Sequence, residues 1–341
     1  DLRVDLLADS SVDSAGPLTG SIDIARAGNA WQLNGKVGAG KTALTKTHAD
    51  FALHLDAERL RIERLQLAAA GAQLAATGTL GIAGARPLSL TGRLAGIDPS
   101  RFGDYPSARL GGEFSLDGHL APAATGRLVF TLADSRFRDA PLAGRGQVEF
   151  SAGQLGAAEV DLRLAENRLQ AKGRLGAPTD RLHWRLNAPR LAALLPTLSG
   201  QLRGEGTLVG SVENPAIQFA LKASNLAIDK GLQIAAASVT FDGHRDRHRI
   251  EARARVSGSD LSATLAGGLS APAVPLAWQG QLLQLTTSGR YAVALQTPAE
   301  LFLSRDRQRI TGAQLALAPG PGILRLNDLD HDGALLRSDG A

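Results

Sequence analysis

The sequence predicts an all-β protein built as an elongated, repetitive sheet, and three observations support this. Apolar and polar residues alternate with a period of two along most of the chain, which is typical of strands with one apolar and one polar face. Glycine, aspartate and asparagine interrupt the alternation about every eight to twelve residues, as turns between neighbouring strands do. Related phrases also recur at intervals of roughly ninety residues, which indicates an array of stacked units.

The alternation defines a set of apolar side chains that we expect on one face of the sheet. It is clearest in "FALHLD", "RLVFTLAD", "EVDLRL", "IQFALKASNL", "ASVTF" and "DLSATL". Because side chains two apart on a strand share a face, each stretch places its apolar residues together. The candidate residues are Phe51, Leu53, Leu55, Leu128, Phe130, Leu132, Val160, Leu162, Leu164, Phe219, Leu221, Val239, Phe241, Leu261 and Leu265.

The longer period divides the chain into blocks. "AQLAATGTLGIAGARP", "NRLQAKGRLGAP" and "SDLSATLAGGLSAP" are similar and end at Pro87, Pro178 and Pro272. The predicted blocks are therefore residues 1–87, 88–178 and 179–272, with 273–341 continuing the array as a partial block. Two short helices are expected, in "IDPSRFGDYP" and "NAPRLAALLP", where prolines flank a brief turn.

Composition excludes several functional classes. The chain has no cysteine, so disulfides and thiolate metal sites are ruled out. Basic and acidic residues alternate and the net charge is only +4, which argues against nucleic-acid binding. No methionine is present and no apolar run approaches the length of a membrane span. We therefore expect a segment cut from a longer protein, with any membrane anchor outside it.

One motif resembles a nucleotide site but lacks the context for one. "GKVGAGKT" (35–42) fits the phosphate-loop pattern at every required position. A phosphate loop needs a buried strand before it and a helix N-terminus after it, whose amides hold the anion. Here an alternating stretch precedes the glycines and another, "ALTKTHADFALHLD", follows them. The motif is interpreted as a glycine-rich hairpin, and no nucleotide is expected.

Two other motifs resemble metal sites. "DLDHDGALLRSD" (328–339) has calcium-loop spacing, but its last position is Asp339 rather than a longer glutamate, and no helix leads into it. His244 and His248 are four residues apart, which joins two ligands only on a helix, whereas this stretch is a predicted solvated turn. No grouping of nucleophile, base and acid is evident. We therefore expect no enzyme activity, no metal and no cofactor.

The recurring phrases resemble a known family. "LAALLPTLSGQLRGEGTLVGSVENPAIQFALKASNLAI" (191–228) is similar to the repeat of TamB, the large subunit of the bacterial translocation and assembly module, within the AsmA-like superfamily. The shared features are a short leucine-rich turn, glycines alternating with leucines (Gly204, Gly206, Gly210) and an amphipathic strand after Pro215. The segment 275–310, with Trp278, is also similar. The family's terminal landmarks are missing, so a middle segment is expected.

The resemblance implies a fold and a function. The fold is an elongated sheet curved into an open hydrophobic trough, described as β-taco-like, with one or two short helices. The function is to shield phospholipid acyl chains during transport between the inner and outer membranes and to support assembly of outer-membrane proteins. The full-length protein would lie in the periplasm of a Gram-negative bacterium, anchored in the inner membrane. Its partner would be a TamA-like outer-membrane assembly barrel, contacted through regions outside this segment.

The residues alone leave an alternative open. Almost no helix is predicted to cover the apolar face, so either a second sheet covers it or the sheet surrounds a guest. In the first case the fifteen candidates are core residues of a structural β-repeat scaffold or adhesin without lipid cargo. In the second they line a lipid groove.

Overall fold

The chain is almost entirely β-structure, which confirms the predicted fold class. The computed structural model describes residues 2–8, 18–39, 47–69, 71–101, 105–152, 154–228, 231–270, 277–289, 292–320, 322–332 and 335–340. The strands form two compact units. Unit 1 comprises Asp1–Ala165 and Gln170–Arg174, and unit 2 comprises Glu166–Leu169 and Leu175–Ala341.

Unit 1 is one antiparallel sheet in which each strand pairs with the next strand along the chain. This meander follows from the short polar turns, which let successive strands pair as hairpins. Its strands are β1 (Leu2–Ala8), β2 (Leu18–Ala27), β3 (Ala30–Ala39), β4 (Thr47–Leu55), β5 (Arg59–Ala69), β6 (Ala72–Gly81), β7 (Pro87–Ile97), β8 (Ala108–His119), β9 (Thr125–Phe137), β10 (Ala140–Ser151) and β11 (Gln154–Leu164). A further strand, β12 (Asn167–Leu175), has residues in both units.

Unit 2 repeats the antiparallel meander with one irregularity. Its strands are β13 (Arg181–Ala188), β14 (Leu198–Val209), β15 (Ala216–Ile228), β16 (Leu232–Gly243), β17 (His248–Val256), β18 (Ser259–Leu269), β19 (Ala277–Thr287), β20 (Ala292–Thr297), β21 (Ala299–Ser304), β22 (Gln308–Ala318), β23 (Gly322–His331) and β24 (Leu336–Gly340). Successive strands pair, except that β20 and β21 lie end to end between β19 and β22. The break falls at Pro298, which cannot donate a ladder hydrogen bond.

The two predicted helices are single 3-10 turns, Pro99–Arg101 and Leu191–Ala193. Pro196 limits the second turn, because Leu195, the residue before this proline, is disfavoured in the α conformation. The second turn is anchored by the buried side chain of Asn167. Its amide donates to the carbonyl of Arg190 at 2.8 Å and its oxygen accepts from the Arg190 N–H at 3.0 Å.

Neither sheet has a conventional core. The buried apolar residues of the described chain are mainly alanines, and large side chains among them are few. A domain with two packed layers would seal leucine, isoleucine and phenylalanine between them. The buried apolar residues are Ala30, Ala52, Ala76, Ala158, Leu164, Leu175, Ala188, Leu191, Ala277, Trp278, Leu282, Ala299 and Ala313.

Candidate functional site: an uncovered apolar face

One face of the unit 1 sheet is apolar without interruption from β3 to β11. Residues directly opposite each other on paired strands share a face, so the register assigns each side chain. Four parallel rows cross these nine strands, and every member is glycine or an apolar residue. One row reads Leu33, Leu53, Ile62, Gly78, Leu90, Leu116, Leu128, Val148 and Ala158.

The structure brings all nine of the candidate residues in unit 1 to this face. Leu164 is buried, and the other eight side chains are only half-buried. The eight half-buried candidates are Phe51, Leu53, Leu55, Leu128, Phe130, Leu132, Val160 and Leu162. A closed sandwich would bury side chains of this size almost completely.

Aromatic rings on this face lie across glycines of the neighbouring strand. Gly92 is opposite Phe114, and Gly126 is opposite Phe150. A methyl group added at either glycine would lie 2.7 Å from the paired ring, closer than carbon atoms approach. Gly146 faces Phe130 in the same way. The rings therefore occupy space that side chains would fill at the glycines.

Unit 2 has the same arrangement. Its apolar face crosses β13 to β19, and one row reads Trp184, Gly206, Phe219, Phe241, Ile250, Leu265 and Leu282. The six candidates in this unit all lie on this face and are all half-buried. They are Phe219, Leu221, Val239, Phe241, Leu261 and Leu265.

An aromatic band crosses the unit 2 face. Phe219 stacks on Phe241 with ring centroids 5.0 Å apart, and Phe241 meets the His248 ring at 4.5 Å. His248 is buried, so its interpretation as part of a solvated turn is wrong. Its Nδ1 bonds the His244 carbonyl at 2.8 Å, and its Nε2 accepts the indole N–H of Trp278, also at 2.8 Å. Because a carbonyl only accepts and an indole only donates, these bonds fix the neutral tautomer with hydrogen on Nδ1.

The opposite face of each sheet is polar and carries cross-strand ion pairs. In unit 2, Arg307 binds Asp330 and Arg309 binds Asp328 through two nitrogens each, at 2.7–3.0 Å. Hydrogen bonding to Arg309 holds the pKa of Asp328 below its usual value, and Arg307 has the same effect on the pKa of Asp330. These arginines thus pair with two of the four aspartates, Asp328 and Asp330, that had suggested a calcium loop.

The phosphate-loop motif also falls on the sheet. Its first five residues, Gly35 to Ala39, belong to β3, and β4 follows as the antiparallel neighbour. Residues 40–46, which include Lys41 and Thr42, lie outside the described residues. Gly35 is opposite Phe51 on the apolar face, and the Phe51 ring lies over it in the space that a side chain would need.

Sequence reasoning missed much of the face. The rows also contain Leu33, Ile62, Leu90 and Leu116, whose strands alternate as clearly as the chosen ones. Applying the period-two rule to every strand would have found them. The glycines paired with rings could not be found in this way, because their role depends on the register between strands.

Comparison with known proteins gives the family. The family model described as "TamB, N-terminal domain" matches residues 18–240, which is more than half of the chain and includes the apolar faces of unit 1 and of β13 to β15. No curated protein and no solved structure matches the chain. None of the described helical segments is long and apolar enough to cross a membrane. TamB proteins are bacterial envelope proteins of the translocation and assembly module. On the family match, this chain belongs to the TamB family.

Proposed function

We propose that the apolar faces of the two units shield phospholipid acyl chains during passage between the inner and outer membranes. The role is non-enzymatic and needs no cofactor. In the full-length protein we place it in the periplasm, with inner-membrane anchoring and contact to a TamA-like barrel through other regions. Support of outer-membrane protein assembly belongs to the same proposal.

The observation that carries the proposal is an apolar face that is continuous and that no described segment of the chain covers. Four rows cross nine strands of unit 1 without a polar side chain, and the large residues in them are half-buried except Trp31, which is exposed. Soluble proteins rarely expose apolar surface on this scale unless it contacts a partner, a ligand or a membrane. An apolar guest is the simplest cover for such a surface.

An acyl chain gains enough from such a face to justify its use. Each methylene that leaves water contributes about 0.8 kcal/mol. A chain of roughly sixteen carbons therefore gains on the order of 10 kcal/mol when it is buried. The same free energy opposes the passage of a bare acyl chain through water, and an uninterrupted apolar lining removes most of this barrier. Because its side chains are chemically alike, no position binds much more tightly than the next. Such a series of equivalent sites favours sliding over storage.

The test compares two adjacent residues of β9 that point to opposite faces. Phe130 lies opposite Phe114 and Gly146, whereas Thr131 lies opposite Glu113 and Arg145 on the polar face. A photo-crosslinking residue at position 130 should capture lipid in cells, and the same residue at position 131 should not. Equal capture at both positions, or none at 130, would refute the proposal.

The scaffold or adhesin without lipid cargo makes the opposite prediction. Its apolar face would be sealed within the assembled protein, and the purified chain would carry no lipid. Native mass spectrometry distinguishes the two, since a conduit should retain lipid-sized adducts. The half-buried state of Phe130 and its neighbours favours the conduit.

A further inference from the structure

A cluster of cations on the polar face of unit 2 has no acidic partner. The register places Arg203 opposite Lys222, Lys222 opposite Ser238, and Ser238 opposite Arg253. Three cations thus share one row across four strands. Like charges directly opposite each other destabilise a sheet, so this row works against folding stability in the absence of a counter-ion.

Neighbouring cations on the same face show the usual arrangement. Arg185 pairs with Glu205 at 3.5 Å, and Arg255 pairs with Asp260 at 2.8 Å. In contrast, Arg203, Lys222 and Arg253 make no ion pair or side-chain hydrogen bond within the described chain. The charge of this row is therefore available to a ligand.

The row also crosses a concave part of the surface. A depression of about 630 Å³ is lined by Lys222, Arg253 and the hydroxyl-bearing residues Ser238, Ser262 and Thr286, together with Arg255 and Asp260. The carboxylate of Asp260 is already paired with Arg255. Adjacent strands are about 4.8 Å apart, so the backbones of Lys222 and Arg253 are about 10 Å apart with Ser238 between them. Both side chains are long enough to meet over Ser238. Cationic and hydroxyl donors thus converge on one small volume.

We propose that this depression binds a phosphate group, held by Lys222 and Arg253 with Ser238 between them and Arg203 adding charge at its edge. Arginine and lysine with hydroxyl donors are the groups that recognise phosphate oxygens. A compact depression suits a phosphate better than an extended acidic peptide, which needs a longer row of cations. The phosphate is either free in solution or part of a lipid headgroup. The site lies on the face opposite the proposed lipid groove and does not depend on it.

The test is calorimetric titration of the purified 341-residue chain with inorganic phosphate at low ionic strength. The double variant Lys222→Gln/Arg253→Gln should bind at least about tenfold more weakly, because it removes both charged donors that face the phosphate. The matched control is Arg185→Gln, which removes a cation from the same face but one with its own carboxylate. It should change phosphate affinity less than about twofold.

Two further ligands test whether the phosphate is free or part of a lipid headgroup, and whether the row binds an acidic peptide instead. Vesicles of phosphatidylglycerol in phosphatidylcholine, compared with phosphatidylcholine alone, report headgroup binding by co-sedimentation. If the double variant loses phosphatidylglycerol binding as well, the phosphate is a headgroup; if it loses free phosphate only, the ligand is soluble. The proposal fails if phosphate does not saturate the wild-type chain, if Arg185→Gln has an equal effect, or if the row binds a poly-glutamate peptide but not phosphate.

Discussion

The pairing of aromatic rings with glycines predicts that adding one methyl group will disturb the apolar face. In Gly146→Ala the new Cβ would lie 2.5 Å from Cε1 and Cζ of Phe130 and 3.2 Å from Cγ2 of Val160. Carbon atoms prefer separations of about 3.5–4.0 Å, so the ring must move by about 1 Å or rotate away. All three atoms belong to side chains, so the cost comes from displacing the ring and not from the backbone.

The magnitude follows from two opposing effects. Overpacking of this kind typically costs about 1–3 kcal/mol. Alanine is favoured over glycine within a strand by roughly 0.5–1 kcal/mol, which offsets part of that cost. The difference between the two effects lies between about 0 and 2.5 kcal/mol, so we expect Gly146→Ala to lower the free energy of unfolding by roughly 1 kcal/mol.

The control is Gly38→Ala on β3. The nearest atom to a Cβ there is the Thr47 carbonyl oxygen at 3.6 Å, an ordinary contact. This variant should leave stability unchanged or raise it by up to roughly 1 kcal/mol. Urea unfolding followed by circular dichroism measures both, with the midpoint reporting stability and the slope reporting the surface exposed.

A double-mutant cycle assigns the effect to the ring. With Phe130→Leu the side chain is smaller and more adaptable, so Gly146→Ala should cost about 1 kcal/mol less than in the wild-type background. If Gly146→Ala and Gly38→Ala have the same midpoint, or if the cycle shows no coupling, the ring does not depend on the glycine and the reasoning is wrong.

Two further predictions concern polar anchors. Asn167→Ala should lower the free energy of unfolding by about 1–3 kcal/mol, because two part-buried hydrogen bonds to the N–H and C=O of Arg190 are lost. The exposed Asn34→Ala should change it little, and equal urea midpoints for the two variants would contradict this. In Arg309→Gln the pKa of Asp328 should rise toward its ordinary 3.8, seen by carboxyl NMR titration. Since the folded pKa of Asp328 is depressed, the stabilisation from this pair is fully present above pH 3.8 and is lost as the pH falls through the lower folded pKa. An unchanged titration of Asp328 in the variant would contradict the assignment.

Alternation with a period of two was sufficient to predict the strands and the faces. Phe51, Leu53 and Leu55 fall on one face because a strand has only two faces and polar residues occupy the other. The same rule explains why the six candidates of unit 2 share a face although they come from three different strands. Turn residues fixed where each strand ends, so a meander was the simplest topology.

Register and local detail could not be predicted. The role of Gly146 depends on which residue lies opposite it, and a shift of one residue would place it against a polar side chain. The burial of His248 depends on Trp278, thirty residues away, whose N–H it accepts. The leucine-rich turn at Leu191–Ala193 looked helical from composition, but Pro196 limits it to one 3-10 turn.

The ring–glycine pairs also explain how a sheet without a second layer holds together and still offers an apolar surface. The ion pairs of the polar face are largely exposed, and exposed pairs contribute little to stability because solvent screens them. Contacts between neighbouring side chains on the apolar face therefore contribute more to stability than these ion pairs do. An aromatic ring suits this purpose because it has two sides. Phe130 covers Gly146 with part of its surface, while the remainder stays half-exposed and can contact a guest. The same side chains can thus stabilise the empty sheet and serve the proposed binding of an acyl chain.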